Sequence, residues 1–235
     1  MPRKIKVVKQ KATEPDEFIS TSSIVLDYIK NNYVTIGGAI AVLLVVVIII
    51  FGLASYNRER EQEALDLFNQ AKQIYQQSTT GPTNRQPPTP LYSQALEKFK
   101  EVVENYSHAT SATASLLYMG DCYYHLKDYD NAIDHYMRFI DTADKVDYLR
   151  QFAFEGLGYC YEEKGDYEKA LDYFKRSLNE DNCAIEKLLY LNIAGCYEAL
   201  NDNASALEYY KKTGGDESNS PFFTLARDKV AALKN

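Results

Sequence analysis

Three stretches of this chain can be laid over one another, and that register leaves few folds open. Leu116 to Tyr123 followed by Asp128 to Tyr136 is repeated as Phe154 to Tyr161 followed by Asp166 to Phe174. It returns as Tyr190 to Tyr197 followed by Asp202 to Tyr210. In each copy a small residue (Gly120, Gly158, Ala194) stands three before a tyrosine, 12 before an alanine (Ala132, Ala170, Ala206) and 16 before an aromatic (Tyr136, Phe174, Tyr210). The copies are 38 and 36 residues apart. Two antiparallel helices joined by a short turn approach closely only where one position on each is small, and large residues a turn away fill the space around that contact. The turns contain Asp128, Gly165, Asp166, Asn201 and Asp202, which end one helix and start the next. The predicted fold is all-α, a solenoid of antiparallel helix pairs.

A split copy precedes these three. Ala64 to Tyr75 supplies a first helix, with Leu67, Ala71 and Ile74 at helical spacing, and Leu91 to Tyr106 a second. Ala71 lies 24 residues before Ala95 where the other copies have 12, the excess being a Pro-rich loop, Ser78 to Pro90, expected outside any helix. Pro221 opens a last helix with Phe222, Leu225 and Val230 expected inward, a cap for the stack. The expected repeat domain is therefore 57–235. It comprises a split repeat over 60–109, repeats over 113–146, 151–184 and 187–215, and a capping helix over 221–234.

Ahead of the repeats lies the longest apolar run. Fourteen of the 20 residues from Val34 to Leu53 are Val, Ile, Leu or Phe, and none is charged. A 20-residue helix spans about 30 Å, the hydrocarbon thickness of a bilayer, and Tyr33 and Tyr56 flank the run as interfacial rings do. We read 34–54 as a transmembrane helix. A buried core helix and a cleaved signal peptide are the competing readings, but the run lacks a polar face and exceeds the usual h-region. Residues 1–33 form a basic tail with six Lys/Arg against four Asp/Glu. Within that tail, Asp16 to Asn32 is either a juxtamembrane helix lying at the membrane surface or a helical extension of the span. Arg3, Lys4, Lys6, Lys9 and Lys11 lie more than 20 residues from the span. Close to it, Lys30 on one side faces Arg58, Arg60 and Lys72 on the other, a local bias that slightly opposes an N-inside orientation.

Chemistry-bearing patterns are sparse. A net charge of −7 excludes a general nucleic-acid binder, which needs a basic face. There is no nucleophile elbow and no phosphate loop, so we expect no enzyme, no cofactor and no small-molecule substrate. Asp121 and His125, at i and i+4, would be two metal ligands where three or four are needed, and we expect no metal. Cys122, Cys160 and Cys196 share one repeat position and read as small buried hydrophobes rather than a redox or metal set; Cys183 is solitary. Four unpaired thiols suit a reducing compartment somewhat better than an oxidising one.

The repeated pattern resembles the tetratricopeptide repeat, with its large residue at position 4, small at 8, aromatic at 11, Ala at 20 and aromatic at 24. All three copies match at these five positions. They depart in period, and in Asp144 and Asn182 standing where that repeat often has Pro. The resemblance implies a concave face lined by positions 2, 5, 9, 12 and 13 of each first helix. Here it implies a peptide-binding groove of Leu117, Asp121, Tyr124, His125, Phe152, Glu155, Tyr159, Glu162, Glu163 and Leu191, with Ala114 and Glu198 on the same face. The Lys and Asn that relatives use to clamp a C-terminal carboxylate are absent from positions 5 and 9. An acidic, aromatic groove suits extended segments carrying Lys/Arg and apolar anchors.

The order of parts, a basic tail, a single anchor and a repeat stack, resembles bacterial single-anchor repeat proteins related to the ancillary subunit of the SecYEG translocon. That resemblance implies a single-pass protein of the inner (cytoplasmic) membrane with periplasmic repeats. It implies an accessory, chaperone-like role beside the secretion machinery, with translocon components, periplasmic chaperones or their clients as partners. The alternatives are cytoplasmic repeats and an assembly scaffold for another envelope complex.

Overall fold

The structure, a computed structural model, describes residues 17–80, 89–143, 146–181, 183–214 and 221–233. Arg3 to Lys11, the middle of the Pro-rich loop, Asp144 and Asn182 lie outside them, as does the side chain of Phe222. The chain divides into two compact units, 1–57 and 58–235.

The first unit holds α1 (Glu17–Asn31) and the apolar part of α2 (Tyr33–Thr80). A bend at Asn32 separates the two helices, and the Asn32 side-chain amide donates to the Tyr28 carbonyl at 2.9 Å. Ile24, Val25 and Ile29 on α1 are exposed. None of the apolar stretch of α2 is buried, and Phe51 is 74% exposed.

The second unit stacks the remainder of α2 with α3 (Thr89–Asn105), α4 (Thr110–His125), α5 (Tyr129–Thr142), α6 (Arg150–Glu163), α7 (Tyr167–Leu178), α8 (Glu186–Ala199), α9 (Asn203–Gly214) and α10 (Pro221–Leu233). A 3₁₀ turn, Asp147–Leu149, leads into α6. The helices pack as all-α, tetratricopeptide-like pairs. Helix α2 continues to Thr80 and α3 starts at Thr89, so the loop is shorter than expected. Ser78 continues the helix with its hydroxyl on the Tyr75 carbonyl, and Pro90 sits in the first turn of α3, where a missing N–H costs nothing.

The turns repeat in atomic detail. Lys127, Gly165 and Asn201 each adopt a left-handed backbone, with φ of 63°, 76° and 63°. The amide of the following aspartate then donates back to Tyr123, Tyr161 or Tyr197 at 2.9 Å, closing the helix end. Asp128 and Asp166 cap α5 and α7 through the amides of Asn131 and Lys169, and Asp202 does the same for Ser205 at the start of α9.

Packing follows the small-residue register. A Cβ on Gly120 would meet the Tyr136 ring within 3 Å, and one on Gly158 would meet the Phe174 ring equally closely. Ala194 and Tyr210 make the corresponding pair in the last repeat. Phe68, Ala71, Ala95 and Phe99 form the core of the split copy. Cys122, Cys160 and Cys196 are free and fully buried within these layers. The Gln151 carbonyl accepts the Ser177 hydroxyl at 2.7 Å and its side chain accepts the Ala184 amide at 2.8 Å, tying successive pairs together. On α10 the inward face is Ala226 with Val230 and Leu233. Leu225, expected inward, is 48% exposed because it stands about 100° round the helix from that i, i+4, i+7 face.

Candidate functional site

Helices α4 and α6, with the end of α2 and the face of α5, border an open-mouthed cavity of about 400 Å³. It brings together seven of the sequence-predicted residues: Leu117, Asp121, Tyr124 and His125 from α4, and Phe152, Glu155 and Tyr159 from α6. They lie on one side because positions four apart on a helix share a face. Glu162, Glu163 and Leu191 are not among its walls. Glu163 accepts the Tyr129 hydroxyl at 3.0 Å, and Leu191 packs with the last hydrophobic cluster around Ala194 and Tyr210. Leu117 is nearly buried in the core and shows the cavity only a small apolar patch; Ala114 is core throughout.

The residues that sequence reasoning missed complete the walls. Tyr75 reaches in from α2, Tyr136 from α5, and Leu149 from the 3₁₀ turn. Tyr136 is the aromatic of the repeat motif, and its ring lies between Gly120 and Gly156, either of whose Cβ atoms would come within 3 Å of it. The ring therefore passes between α4 and α6 and delivers its hydroxyl to the cavity. The signal available was the hydroxyl itself, since a buried tyrosine needs an acceptor.

The cavity holds two carboxyls with different partners. Asp121 Oδ1 accepts the Tyr136 hydroxyl at 2.7 Å and Oδ2 the Tyr75 hydroxyl at 3.3 Å. Burial pushes Asp121 up to about 6 in spite of these donors, which favour its ionised form. Glu155 Oε1 accepts the Tyr159 hydroxyl at 3.2 Å. Burial pushes Glu155 up to about 7; the Tyr159 bond lowers it and the Asp121 charge raises it. Tyr159 in turn accepts the Asn192 side-chain amide at 2.8 Å and lies edge-on to Phe174, so it is a structural bridge to α8 as well as a wall. Burial raises Tyr124 to about 12, with the Glu163 charge adding to it. His125 stacks on Tyr92, ring centroids 4.3 Å apart, and burial lowers its pKa. Asp121 and His125 thus each meet tyrosine side chains.

The tetratricopeptide-repeat family profile matches residues 111–179, and a second tetratricopeptide profile matches 189–212. No curated protein matches this chain. Solved structures do. The nearly identical TPR-like repeats of a candidate kinesin light chain from Podosopora anserina superpose with a TM-score of 0.57 at 13% identity, covering 72% of this chain and 86% of that one. BtubC from P. vanneervenii gives 0.55 at 11% identity, covering 75% and 82%. MamA protein gives 0.54 at 17% identity, covering 74% and 81%. At such identities these likenesses carry the fold alone. Stacks of this kind are typically non-enzymatic scaffolds that bind proteins or peptides. The chain thus carries tetratricopeptide repeats over 111–179 and 189–212, and among the described residues one long apolar helix near its N-terminus.

Proposed function

We propose that the protein is a membrane-anchored interaction module whose concave face holds an extended segment of a partner protein. The observation that carries this reading is the α4–α6 cavity, in which Tyr124, Phe152 and Tyr159 stand beside Asp121 and Glu155. Rigid aromatic anchors in a desolvated site dominate interface energies, and carboxylates select cationic partners and speed their encounter. The anchor is 34–54: its bare apolar surface is costly in water and at home in lipid. Groove position Tyr124 tests the reading. Tyr124→Ala, folded by circular dichroism, should release the partners that co-purify from solubilised membranes about tenfold faster than wild type, whereas Arg138→Ala on α5 should not. Equal retention by both variants sinks it.

The role beside the secretion machinery, with repeats in the periplasm, rests on the order of tail, anchor and repeats. Protease added to spheroplasts should digest the repeats; survival until lysis would place them in the cytoplasm and favour the scaffold alternative.

A further inference from the structure

The carboxyls of the cavity have a counterpart in the last repeat. There Glu198, on the same face of its first helix, accepts the Tyr210 hydroxyl at 2.7 Å and the Lys229 ammonium at 2.8 and 2.9 Å. Tyr210 holds the place in its repeat that Tyr136 holds in its own. Lys229 belongs to α10, the helix that closes the stack. Where the chain caps itself, a tyrosine–carboxylate pair on this face is thus completed by an ammonium. Lys229 and Tyr210 together hold Glu198 below the ordinary carboxylate range.

Between α4 and α6, among the described residues, the same pairing is made by tyrosine hydroxyls: Tyr136 and Tyr75 on Asp121, Tyr159 on Glu155. Hydroxyls satisfy lone pairs but do not neutralise charge. Both carboxyls are displaced upward by burial, the opposite of Glu198. A divalent metal is a poor candidate for the missing charge, because two carboxylates fall short of the six or more oxygens a hard cation takes. Among the described residues no group of three or more potential metal ligands forms. The aromatic walls suit an organic cation, whose charge is attracted by ring faces and whose stem is apolar. A cavity of about 400 Å³ has room for one long side chain.

We propose that this cavity takes a single lysine or arginine side chain of the bound segment, its charge on Asp121 and Glu155 and its stem against Tyr124 and Phe152. The inference rests on the reading of the concave face as a peptide groove, and names the side chain that decides which segments the groove selects. Lys229 on Glu198 is the in-chain version of the same contact.

The test uses the full chain in detergent micelles and four pools of nine-residue peptides. The pools are random at eight positions, with Lys, Arg, norleucine or Glu fixed at the centre. The Lys and Arg pools should bind about tenfold or more tighter than the norleucine pool, which keeps the stem and lacks the charge, and the Glu pool weakest. Glu155→Gln should erase most of that preference, and Asp121→Asn, which can still accept from Tyr136, should erase the rest. Comparable binding of the Lys, Arg and norleucine pools overturns the inference and leaves the groove reading standing. A preference that persists undiminished in the folded Glu155→Gln and Asp121→Asn variants also overturns it, by moving the cation site elsewhere. No binding by any pool overturns the groove reading itself, and this inference with it.

Discussion

The Tyr136 hydroxyl donates to Asp121 Oδ1 at 2.7 Å, through a gap that exists only because Gly120 and Gly156 carry no side chains. One residue thereby joins the packing of the repeat to the electrostatics of its concave face. Tyr136→Phe keeps the ring and removes the donor. It should lower stability by about 1 kcal/mol, whereas Tyr136→Ala, which also opens a cavity, should cost about 3–5 kcal/mol. Denaturant titration of the full chain in micelles, followed by circular dichroism, separates the two.

The glycines of first helices are not equivalent. Gly156→Ala drives a Cβ into the Tyr136 ring and should destabilise by about 1–3 kcal/mol. Gly195→Ala meets nothing within 4 Å and should stabilise α8 by about 0.5–1 kcal/mol. Opposite shifts of the unfolding midpoint check this pair.

The turns give a second paired test. Lys127 holds the left-handed backbone that Gly165 holds without strain, so Lys127→Gly should stabilise and Gly165→Ala destabilise, each by about 1 kcal/mol. Removing the α7 cap, Asp166→Ala, should cost about 1 kcal/mol. Thermal melts at neutral pH read all three.

Stability should depend on pH with a sign set by the cavity. Asp121 near 6 and Glu155 near 7 lie above the ordinary 3.8 and 4.5. Between about pH 4 and pH 7 the folded chain therefore binds more protons than the unfolded one. The contribution of these two groups falls as pH rises through that window and is level above it. Burial raises the other acids facing the pair, Tyr75, Tyr136 and Tyr159, which keep their protons throughout. His125 is shifted down by burial and protonates only below its ordinary range. The double variant Asp121→Asn, Glu155→Gln should show a flatter change in melting temperature between pH 5 and pH 8 than wild type. An unchanged slope contradicts the assignment.

Much of this was legible in the residues because helical pairing is a local rule. The small-to-aromatic spacing of 16 anticipated which ring meets which glycine, and positions five and nine of α4 and α6 converge as helical periodicity requires. What escaped was set by contacts between elements. Tyr75 enters the cavity from a helix separated from its pair by the Pro-rich loop, so no fixed spacing marks it. Glu163 and Leu191 occupy groove positions by count, yet Tyr129 takes one and the last repeat's cluster the other. Position 24 reads as packing whether it is Phe174 or Tyr136, and only the three-dimensional gap at Gly156 turns the Tyr136 hydroxyl outward to Asp121.

The most direct test of the central claim, that the concave face holds an extended segment of a partner, is site-specific photocrosslinking in intact membranes. A photoreactive residue replacing Phe152 should yield discrete adducts, and their crosslinked peptides should map to extended segments that carry a lysine or arginine. The same residue replacing Arg138, exposed on α5, should not yield those adducts. Adducts at Arg138 matching those at Phe152, or none at Phe152 while partners still co-purify, would contradict the account and move binding to the Pro-rich loop or the anchor.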